Sequence, residues 1–211
     1  MAATRVGERG GERGAEARSR LLAAAEDAFL QHGFAAASTN RIASAAGASK
    51  ATLFRHWPTK QALFAAVVER SARRTVVDIA AAVAGIEQPE AWLVALGTAT
   101  LTGLMHPRAL QLTRLLVLEG AHDAALQQAF ASVGPPAMLA PMVGQLRQWQ
   151  LSGVVTVDDP AAAAIQFFDL LCGGPVMRTL IGQTAPFDPV ACQAQSRRAA
   201  RLFLRGAAIA D

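Results

Sequence analysis

The stretch Ser38-Thr-Asn-Arg-Ile-Ala-Ser-Ala-Ala-Gly-Ala-Ser-Lys-Ala-Thr-Leu-Phe-Arg-His-Trp57 carries two helix-start signals separated by one glycine. Ser38 and Ser49 are residues of the type that caps helix N-termini, and Gly47 suits the left-handed conformation in which helices end. Pro58 disfavours the α region for the residue before it, so the second helix must end close to the end of this stretch. The stretch therefore predicts two short helices joined by a tight turn, which is a helix-turn-helix.

The pattern of apolar residues divides this unit into a buried face and an outward face. The residues expected to be buried against a preceding helix are Ile42, Ala46, Leu53 and Trp57. The residues left facing outward are Lys50, Thr52, Arg55 and His56. Since the N-terminus of the second short helix also presents free N–H groups and the positive end of a helix dipole, the outward face suits phosphate groups.

The helices on either side of this unit also have readable ends. Apolar spacings of three and four residues begin at Glu16 and predict a first helix that ends at Gly33, with Phe34 folding back onto its last turn. Thr59 is expected to cap a fourth helix that runs towards Val83.

Positive charge is concentrated in the N-terminal third of the chain. Residues 1–60 contain nine Arg and Lys against five Asp and Glu, whereas residues 61–211 contain eleven of each. Between residues 28 and 68 there are four cations and no acid, and both lysines of the chain, Lys50 and Lys60, lie there. Such a block is typical of a surface that meets a polyanion.

The rest of the chain alternates helical segments with Pro, Gly and capping signals, and only residues 153–157 look extended. We expect an all-α chain of nine or ten helices, because five extended residues cannot make a sheet. The predicted organisation is a flexible N-terminal arm over residues 1–14, a helix-turn-helix DNA-binding domain over 15–75, and a helical domain over 76–211. The doubled G-E-R-G at residues 7–14 admits two interpretations, a solvated tail or an arm that touches DNA.

Other classes of function are disfavoured by what the sequence lacks. The histidines and cysteines have no metal-ligand spacing, and there is no P-loop, dinucleotide-binding glycine motif or nucleophile elbow, so we expect no catalytic residue, metal or cofactor. Cys172 and Cys192 indicate a reducing compartment without a disulfide framework. With no apolar signal region in the first twenty residues and no run of about 18 apolar residues, we expect a cytoplasmic protein without a membrane partner.

The N-terminal part of the chain resembles a known family. The first helix, together with S-T-N-R-I-A-S-A-A-G-A-S-K-A-T-L-F-R-H-W-P-T-K-Q-A-L-F, is similar to the DNA-binding domain of TetR-family transcriptional regulators over roughly residues 15–75. The matching positions include Gly47, Ser49, Thr52, Leu53 and Lys60. The resemblance implies a homodimer whose two recognition helices enter successive major grooves of a pseudo-palindromic operator in double-stranded DNA.

The resemblance and the outward face together define a set of candidate DNA-contacting positions. These are Ser38, Arg41, Ser49, Lys50, Ala51, Thr52, Phe54, Arg55, His56 and Lys60. Among them, Lys50, Ala51 and Thr52 are implied to approach bases, whereas the two serines, His56 and Lys60 are implied to bind phosphates.

Five of these positions depart from the family pattern or admit a second role. Phe54 stands where the family usually has tyrosine, so it cannot donate a hydroxyl to phosphate, and Ala51 stands where glycine is common, adding a methyl that can meet a thymine methyl. Arg41 occupies the first turn of its helix, where an acid suits the dipole better, so it serves either a phosphate or only the surface. Instead of contacting DNA, Thr52 can serve only to stabilise its helix, and Arg55 can lie on the solvated side.

The C-terminal two thirds resembles a subgroup of the same family. The segments R114-L-L-V-L-E-G through V133-G-P-P, and G153-V-V-T-V-D-D-P-A-A-A-A, are similar to the C-terminal domain of AefR-like members. This implies a repressor released by a small-molecule effector, with a dimer formed through the last two helices, Ala161 to Ile181 and Pro189 to Ile209. The alternatives are an activator, or a regulator controlled by a protein partner or by thiol oxidation.

An effector pocket requires an apolar wall with a few polar anchors. The candidates are Trp92, Leu96, Met105, Arg114, Met138, Met142, Trp149 and Phe167. Each has a plain core role as its alternative. For Arg114 the alternative is an ion pair with Glu119 or Asp169.

Overall fold

A computed structural model of the chain describes the backbone of residues 4–186 and 188–207, and their side chains except those of residues 4–13, 125, 129, 130 and 132–136. Nine α-helices make up this part of the chain, and no strand occurs in it. The helices are α1 (Thr4–Ala36), α2 (Thr39–Ala45), α3 (Lys50–His56), α4 (Lys60–Val83), α5 (Pro89–Met105), α6 (Pro107–Gly120), α7 (Ala124–Leu151), α8 (Pro160–Leu180) and α9 (Pro189–Gly206). The all-α prediction is confirmed for the described residues. The predicted end of the last helix, Ile209, lies outside them.

The first helix ends as its sequence predicts, although it begins earlier than Glu16. Gly33 has non-helical angles, φ 75° and ψ 170°, within the span of α1. Phe34 then folds back, and its ring centroid lies 5.8 Å from that of Phe29 and 5.3 Å from that of Phe64. The conformation of glycine and the apolar contact of the next residue thus set the direction of the chain into α2. That residues 1–14 form a flexible arm stays a prediction.

The chain divides into two compact units. The first unit contains the described residues up to Arg70 together with Arg114–Phe130, and the second contains Ser71–Thr113 and the described residues from Ala131 onward. The predicted domain boundary after residue 75 remains a prediction.

In the first unit, α2 packs on α1 and α3 around one apolar core. Its largest fully buried side chains are Leu21, Phe29, Ile42, Leu53, Leu63, Phe64 and Leu126. The rings of Phe29 and Phe64 meet edge to face, with centroids 5.1 Å apart. Two-turn helices are marginal by themselves, so this packing is what holds α2 and α3.

The second unit is built around α5, which packs closely on α9 and α8. A Cβ built on Gly97 would lie 2.9 Å from Ser196 Oγ and 3.1 Å from Leu171 Cδ1. The absence of a side chain at residue 97 therefore allows the backbones of α5 and α9 to approach.

One contact between α8 and α9 compensates for a proline inside α8. Pro175 has no N–H, so the carbonyl of Leu171 lacks its usual helical donor. The side-chain amide of Gln195 lies 3.1 Å from the oxygen of Leu170 and 3.4 Å from the oxygen of Leu171. Gln195 thus replaces the missing donor and sets the register of α9 against α8.

By length and composition alone, α8 could cross a membrane, a property that core helices of soluble proteins share. One of its faces is buried in the second unit, through Ala163, Ala164, Phe167, Leu171, Pro175 and Thr179. Its apolar character is therefore weak grounds for a membrane-spanning role.

Candidate nucleic-acid interface and effector core

The turn between α2 and α3 has the cap geometry that its sequence predicts. Ser38 Oγ accepts a hydrogen bond from the N–H of Arg41 at 3.5 Å, and Ser49 Oγ accepts one from the N–H of Thr52 at 3.1 Å. Gly47 lies in the left-handed region, with φ 64°. Because side-chain oxygens satisfy N–H groups that would otherwise lack partners, both short helices begin at defined residues.

The buried face of this unit is also confirmed. Ile42, Ala46, Leu53 and Trp57 are all buried. Trp57 ends α3 in an extended conformation, with φ −137° and ψ 102°, as expected before a proline. The two helices are therefore fixed against α1 by their apolar sides and present their polar sides outward.

The outward side of α2 and α3 carries the candidate DNA-contacting residues. Those that are exposed are Arg41, Ser49, Lys50, Ala51 and Arg55, and those that are half-buried are Ser38, Thr52, Phe54, His56 and Lys60. The structure thus leaves Lys50 and Arg55 of α3 in solvent and Thr52 and His56 half-buried. Whether each contacts DNA stays a prediction.

Two contacts on α3 order this surface. Thr52 Oγ1 lies 2.9 Å from Ser49 Oγ, so the threonine hydroxyl belongs to the cap of the helix. The Nζ of Lys50 lies 5.6 Å from the centroid of the Phe54 ring. This cation–π contact holds the ammonium group on the outward side, close to the helix N-terminus.

Lys60 has an internal role that its sequence does not reveal. Its Nζ donates a 2.8 Å hydrogen bond to the carbonyl of Ala35 and lies 4.9 Å from the centroid of the Phe34 ring. Burial lowers the pKa of Lys60 from its ordinary value, and the nearby Glu119 offsets part of this effect. Lys60 therefore ties the start of α4 to the end of α1, where carbonyls have no helical partner.

Two arginines of α1 contact the helix-turn-helix but were not among the sequence candidates. The Arg18 guanidinium carbon lies 5.3 Å from the centroid of the Trp57 ring. Arg20 Nε donates to the carbonyl of Ala46 at 3.4 Å, at the start of the turn. In the sequence, only their position on the polar side of the first helix could have indicated these contacts.

The second unit has a core cluster that contains most of the effector-pocket candidates. Those buried in it are Trp92, Leu96, Met105, Met142, Trp149 and Phe167. The centroids of the Trp92 and Trp149 rings lie 5.4 Å apart, with the rings edge to face. Met138 is half-buried, and Arg114 is exposed and belongs to the first unit. The structure therefore gathers six of the eight candidates and does not bring Arg114 into the cluster.

Two buried hydroxyls of this unit donate to carbonyls of their own helices. Thr100 Oγ1 donates to the carbonyl of Leu96 at 2.8 Å, and Ser196 Oγ donates to that of Cys192 at 2.8 Å. No charged side chain is buried in the part of the second unit that the structure describes.

Both cysteines are unfavourably placed for thiol chemistry. Cys172 is half-buried and Cys192 buried, and neither forms a disulfide. Burial, and to a smaller extent Asp169, raises the pKa of Cys172 to about 12, and burial raises that of Cys192 as well. Because the thiolate is the reactive form, both groups are protonated and weakly nucleophilic at neutral pH. Among the described residues, no cluster of His, Cys, Asp and Glu could hold a metal ion.

An α2–turn–α3 unit on a helical scaffold defines a helix-turn-helix DNA-binding protein. The sequence model of bacterial regulatory proteins of the tetR family matches residues 21–67, and that of the AefR-like transcriptional repressor C-terminal domain matches residues 91–206. The chain belongs to the TetR family of transcriptional regulators. It is a regulator and not an enzyme.

Two curated transcriptional regulators are similar in sequence to part of this chain. An uncharacterised HTH-type regulator of Mycobacterium tuberculosis is 40% identical over 85 residues, which are 40% of this chain and 42% of that protein. The HTH-type transcriptional activator FasR of Mycolicibacterium smegmatis is 42% identical over 55 residues, 26% of this chain and 25% of that one. The alignment therefore spans less than half the length of these curated relatives.

Solved structures match over nearly the whole chain. A TetR-family regulator from Mesorhizobium loti superposes with a TM-score of 0.82 and 25% identity, covering 92% of this chain and 98% of that one. The flavonoid-responsive regulator FrrA superposes with a TM-score of 0.72 and 28% identity, covering 92% of this chain and 97% of that one.

Proposed function

We propose that the protein is a repressor that binds a pseudo-palindromic operator as a homodimer and is released by a small apolar or amphipathic effector. The observation that carries this proposal is the outward side of α3, where exposed Lys50 lies in the first turn of a serine-capped helix and exposed Arg55 in its last turn, on a fixed apolar base. The match of residues 91–206 to an AefR-like repressor domain supports the repressor assignment.

In this proposal the residues of α3 divide into two roles. Lys50, Ala51 and Thr52 lie in its first turn and enter the major groove, where the lysine donates to base acceptors. Arg41 and Arg55 bind phosphates on either side and set the register without reading sequence. Arg18 and Arg20 add positive charge beside the turn.

The proposed dimer forms through α8 and α9. Exposed residues follow each other at a spacing of four along α8 and its end, through Ile165, Asp169, Gly173, Met177 and Ile181. Two of the apolar members, Met177 and Ile181, are 56% and 61% exposed. A stripe that is apolar at Ile165, Met177 and Ile181, with a glycine at its centre, is suited to close packing against a second copy, because a small residue lets backbones approach.

Effector binding in the second unit would release DNA by displacing α4, because this continuous helix contributes to both units. A coupling free energy of about 1 to 3 kcal/mol would lower operator affinity roughly 5- to 150-fold. FrrA, a structural relative, is described as flavonoid-responsive, which supports a small-molecule effector. We also propose a cytoplasmic location, where the operator is accessible.

The DNA-binding part is tested by titrating the protein against DNA that flanks its own gene, across a salt series. Replacing Lys50 by Ala should lower operator affinity and reduce the slope of log affinity against log salt by about one, since one phosphate or base contact is lost. The matched control is Arg147→Ala, which removes one exposed cation of α7 and should leave the slope unchanged.

Two results would contradict this part of the proposal. One is binding to flanking DNA that is no tighter than binding to random duplex. The other is an equal loss of slope in both variants, because that would reflect net charge and not the helix-turn-helix.

Control of transcription by activation is the main alternative, and FasR, a relative over 55 residues, is named a transcriptional activator. A protein partner in place of a metabolite is a second alternative. Thiol oxidation is a third, although the raised pKa of Cys172 opposes it. Peroxide-dependent release of DNA that Cys172→Ser abolishes would favour oxidation.

A further inference from the structure

A groove on the surface of the second unit is lined by no buried member of the apolar core cluster, although Val94 and Ala99 of its floor pack against that cluster. It has a volume of about 660 Å³ and is formed by α5, α9 and the end of α4. Its small and apolar lining residues are Ala82, Ala91, Val94, Ala95 and Ala99, and its polar ones are Gln88, Glu90, Thr98, Gln193, Arg197 and Arg201. The groove therefore combines an apolar floor with a polar rim, as ligand sites do.

The rim of the groove has two guanidinium groups, those of Arg197 and Arg201, and one carboxylate, that of Glu90. Arg201 Nε donates to Glu90 Oε1 at 3.0 Å, which links α9 to α5 and pairs one positive charge. Arg197 lies one turn earlier on the same edge of α9. Within the part of the chain that the structure describes, its guanidinium has no hydrogen-bond or ion-pair partner. Arg197 is therefore available to an anion.

The core cluster of the same unit offers no comparable group. Its members are apolar, and the buried hydroxyls of Thr100 and Ser196 donate to carbonyls of their own helices. A carboxylate placed there would lose its hydration without gaining an opposite charge, at a cost of several kcal/mol. In the groove the same carboxylate gains a two-donor partner while it stays in contact with water.

The groove opens on the side of α9 away from α8. Gln195 contacts carbonyls of α8, and Arg197 follows it by two residues, which is about 200° around a helix. The exposed stripe of α8 that we assign to the dimer is therefore separate from the groove. A ligand in the groove therefore does not compete with a partner for the residues of α8. On α9, Gln193, Arg197 and Arg201 line the groove, whereas exposed Leu202, seven residues after Gln195, lies on the side towards α8 that we assign to the dimer.

We propose that this groove is a binding site for an apolar carboxylate, whose carboxyl group pairs with Arg197 and whose hydrocarbon part lies on the floor at Val94, Ala95 and Ala99. The proposal rests on the proposed function, because it makes this site the place where the effector acts. Gln193, one turn before Arg197, supplies an amide donor beside the carboxylate. The ligand class follows from one unpaired guanidinium above a floor without aromatic or charged groups.

The test measures octanoate binding to the full-length protein by titration calorimetry at pH 7. We expect octanol, which has the same chain without the charge, to bind at least about tenfold more weakly, since charge-assisted hydrogen bonds are the stronger ones. Arg197→Gln should weaken octanoate binding about tenfold or more, and Arg197→Lys should restore part of it. Ala95→Leu, which fills the floor, should also weaken it while leaving the guanidinium in place.

The matched control is Arg147→Gln, which removes one exposed charge of α7 that does not line the groove. Octanoate binding that is absent from the wild type, equal to octanol binding, or equally weak in Arg147→Gln and Arg197→Gln would overturn the site. Thermal unfolding of each variant tests whether a loss of octanoate binding reflects a loss of folding.

Operator binding is measured separately, without and with octanoate. Without octanoate, Arg197→Gln should bind operator as the wild type does, and octanoate should release the wild type only. Arg197-dependent octanoate binding that leaves operator affinity unchanged would overturn the effector role. Failure of the unliganded wild type to bind any operator would count against the proposed function and not against the groove.

Discussion

At the scale of single residues, the side chains of the helix-turn-helix serve packing and caps as well as a DNA surface. Ser49 caps α3 and also bonds Thr52, so the residues that face DNA are ordered before any DNA binds. Lys60 is the clearest case of a role that sequence reasoning missed. The sequence predicts that Lys60 contacts phosphate, which stays a prediction, and the structure adds that its ammonium bonds the end of α1.

Lys60→Met should lower the free energy of unfolding by about 1 to 2 kcal/mol, the sum of one hydrogen bond and one cation–π contact. The matched control, Arg147→Met, removes an exposed cation of α7 and should change the free energy of unfolding by less than about 0.5 kcal/mol. Denaturant unfolding measures both variants. Equal stability of Lys60→Met and the wild type would show that the contact to Ala35 contributes nothing.

The lowered pKa of Lys60 also gives the sign of a pH effect. Between its folded pKa and its ordinary value of 10.5, the unfolded chain binds more protons than the folded one. The contribution of Lys60 to the free energy of unfolding therefore rises with pH across that interval. This rise should be absent in Lys60→Met.

At the scale of helices, small residues and one amide decide how the second unit packs. Gly97 lets α5 approach α9, and Gln195 supplies the donor that Pro175 denies to α8. Neither pairing is visible in the sequence, because the partners lie on different helices and the spacing between them is not periodic. The helices themselves were predictable from caps, prolines and apolar spacing.

Gly97→Ala should destabilise the protein by about 1 to 3 kcal/mol, because its Cβ would lie 2.9 Å from Ser196 Oγ and 3.0 Å from Ser196 Cβ. Gly144→Ala is the matched control, since Gly144 is an exposed residue within α7 with nothing within 4 Å of a built Cβ. That change should stabilise the protein by about 0.5 to 1 kcal/mol through helix propensity. If thermal unfolding shows the same gain for both variants, close packing of α5 on α9 is not the reason for the glycine.

At the scale of the whole molecule, the proposed function depends on two copies of the chain. Two recognition helices must be held at a spacing that fits successive major grooves. The exposed stripe on α8 is the surface that we assign to this contact. In the single chain this stripe is exposed, whereas the opposite face of the same helix is buried. The sequence pattern alone does not distinguish these two faces, and the tertiary structure does.

Met177→Glu should convert the dimer to a monomer and lower operator affinity at least about tenfold, because a carboxylate buried in an apolar interface lacks a partner. Leu151→Glu places the same charge on a residue that is 90% exposed at the end of α7, and it should leave both properties unchanged. Light scattering gives the molar mass, and DNA titration gives the affinity. If the Met177→Glu protein remains dimeric, the dimer interface does not include this stripe.

The sequence by itself determined the helices, the turn at Gly47, the capping serines and the apolar face of α2 and α3. These features depend on local backbone preferences and on periodicity, which neighbouring residues set. Only the tertiary structure decided that Lys60 bonds Ala35, that Arg114 lies outside the core cluster, and that Arg197 stands beside a groove while Arg201 is paired. The physical reason is that these contacts join residues that are far apart in sequence, so their partners are set by how the helices pack.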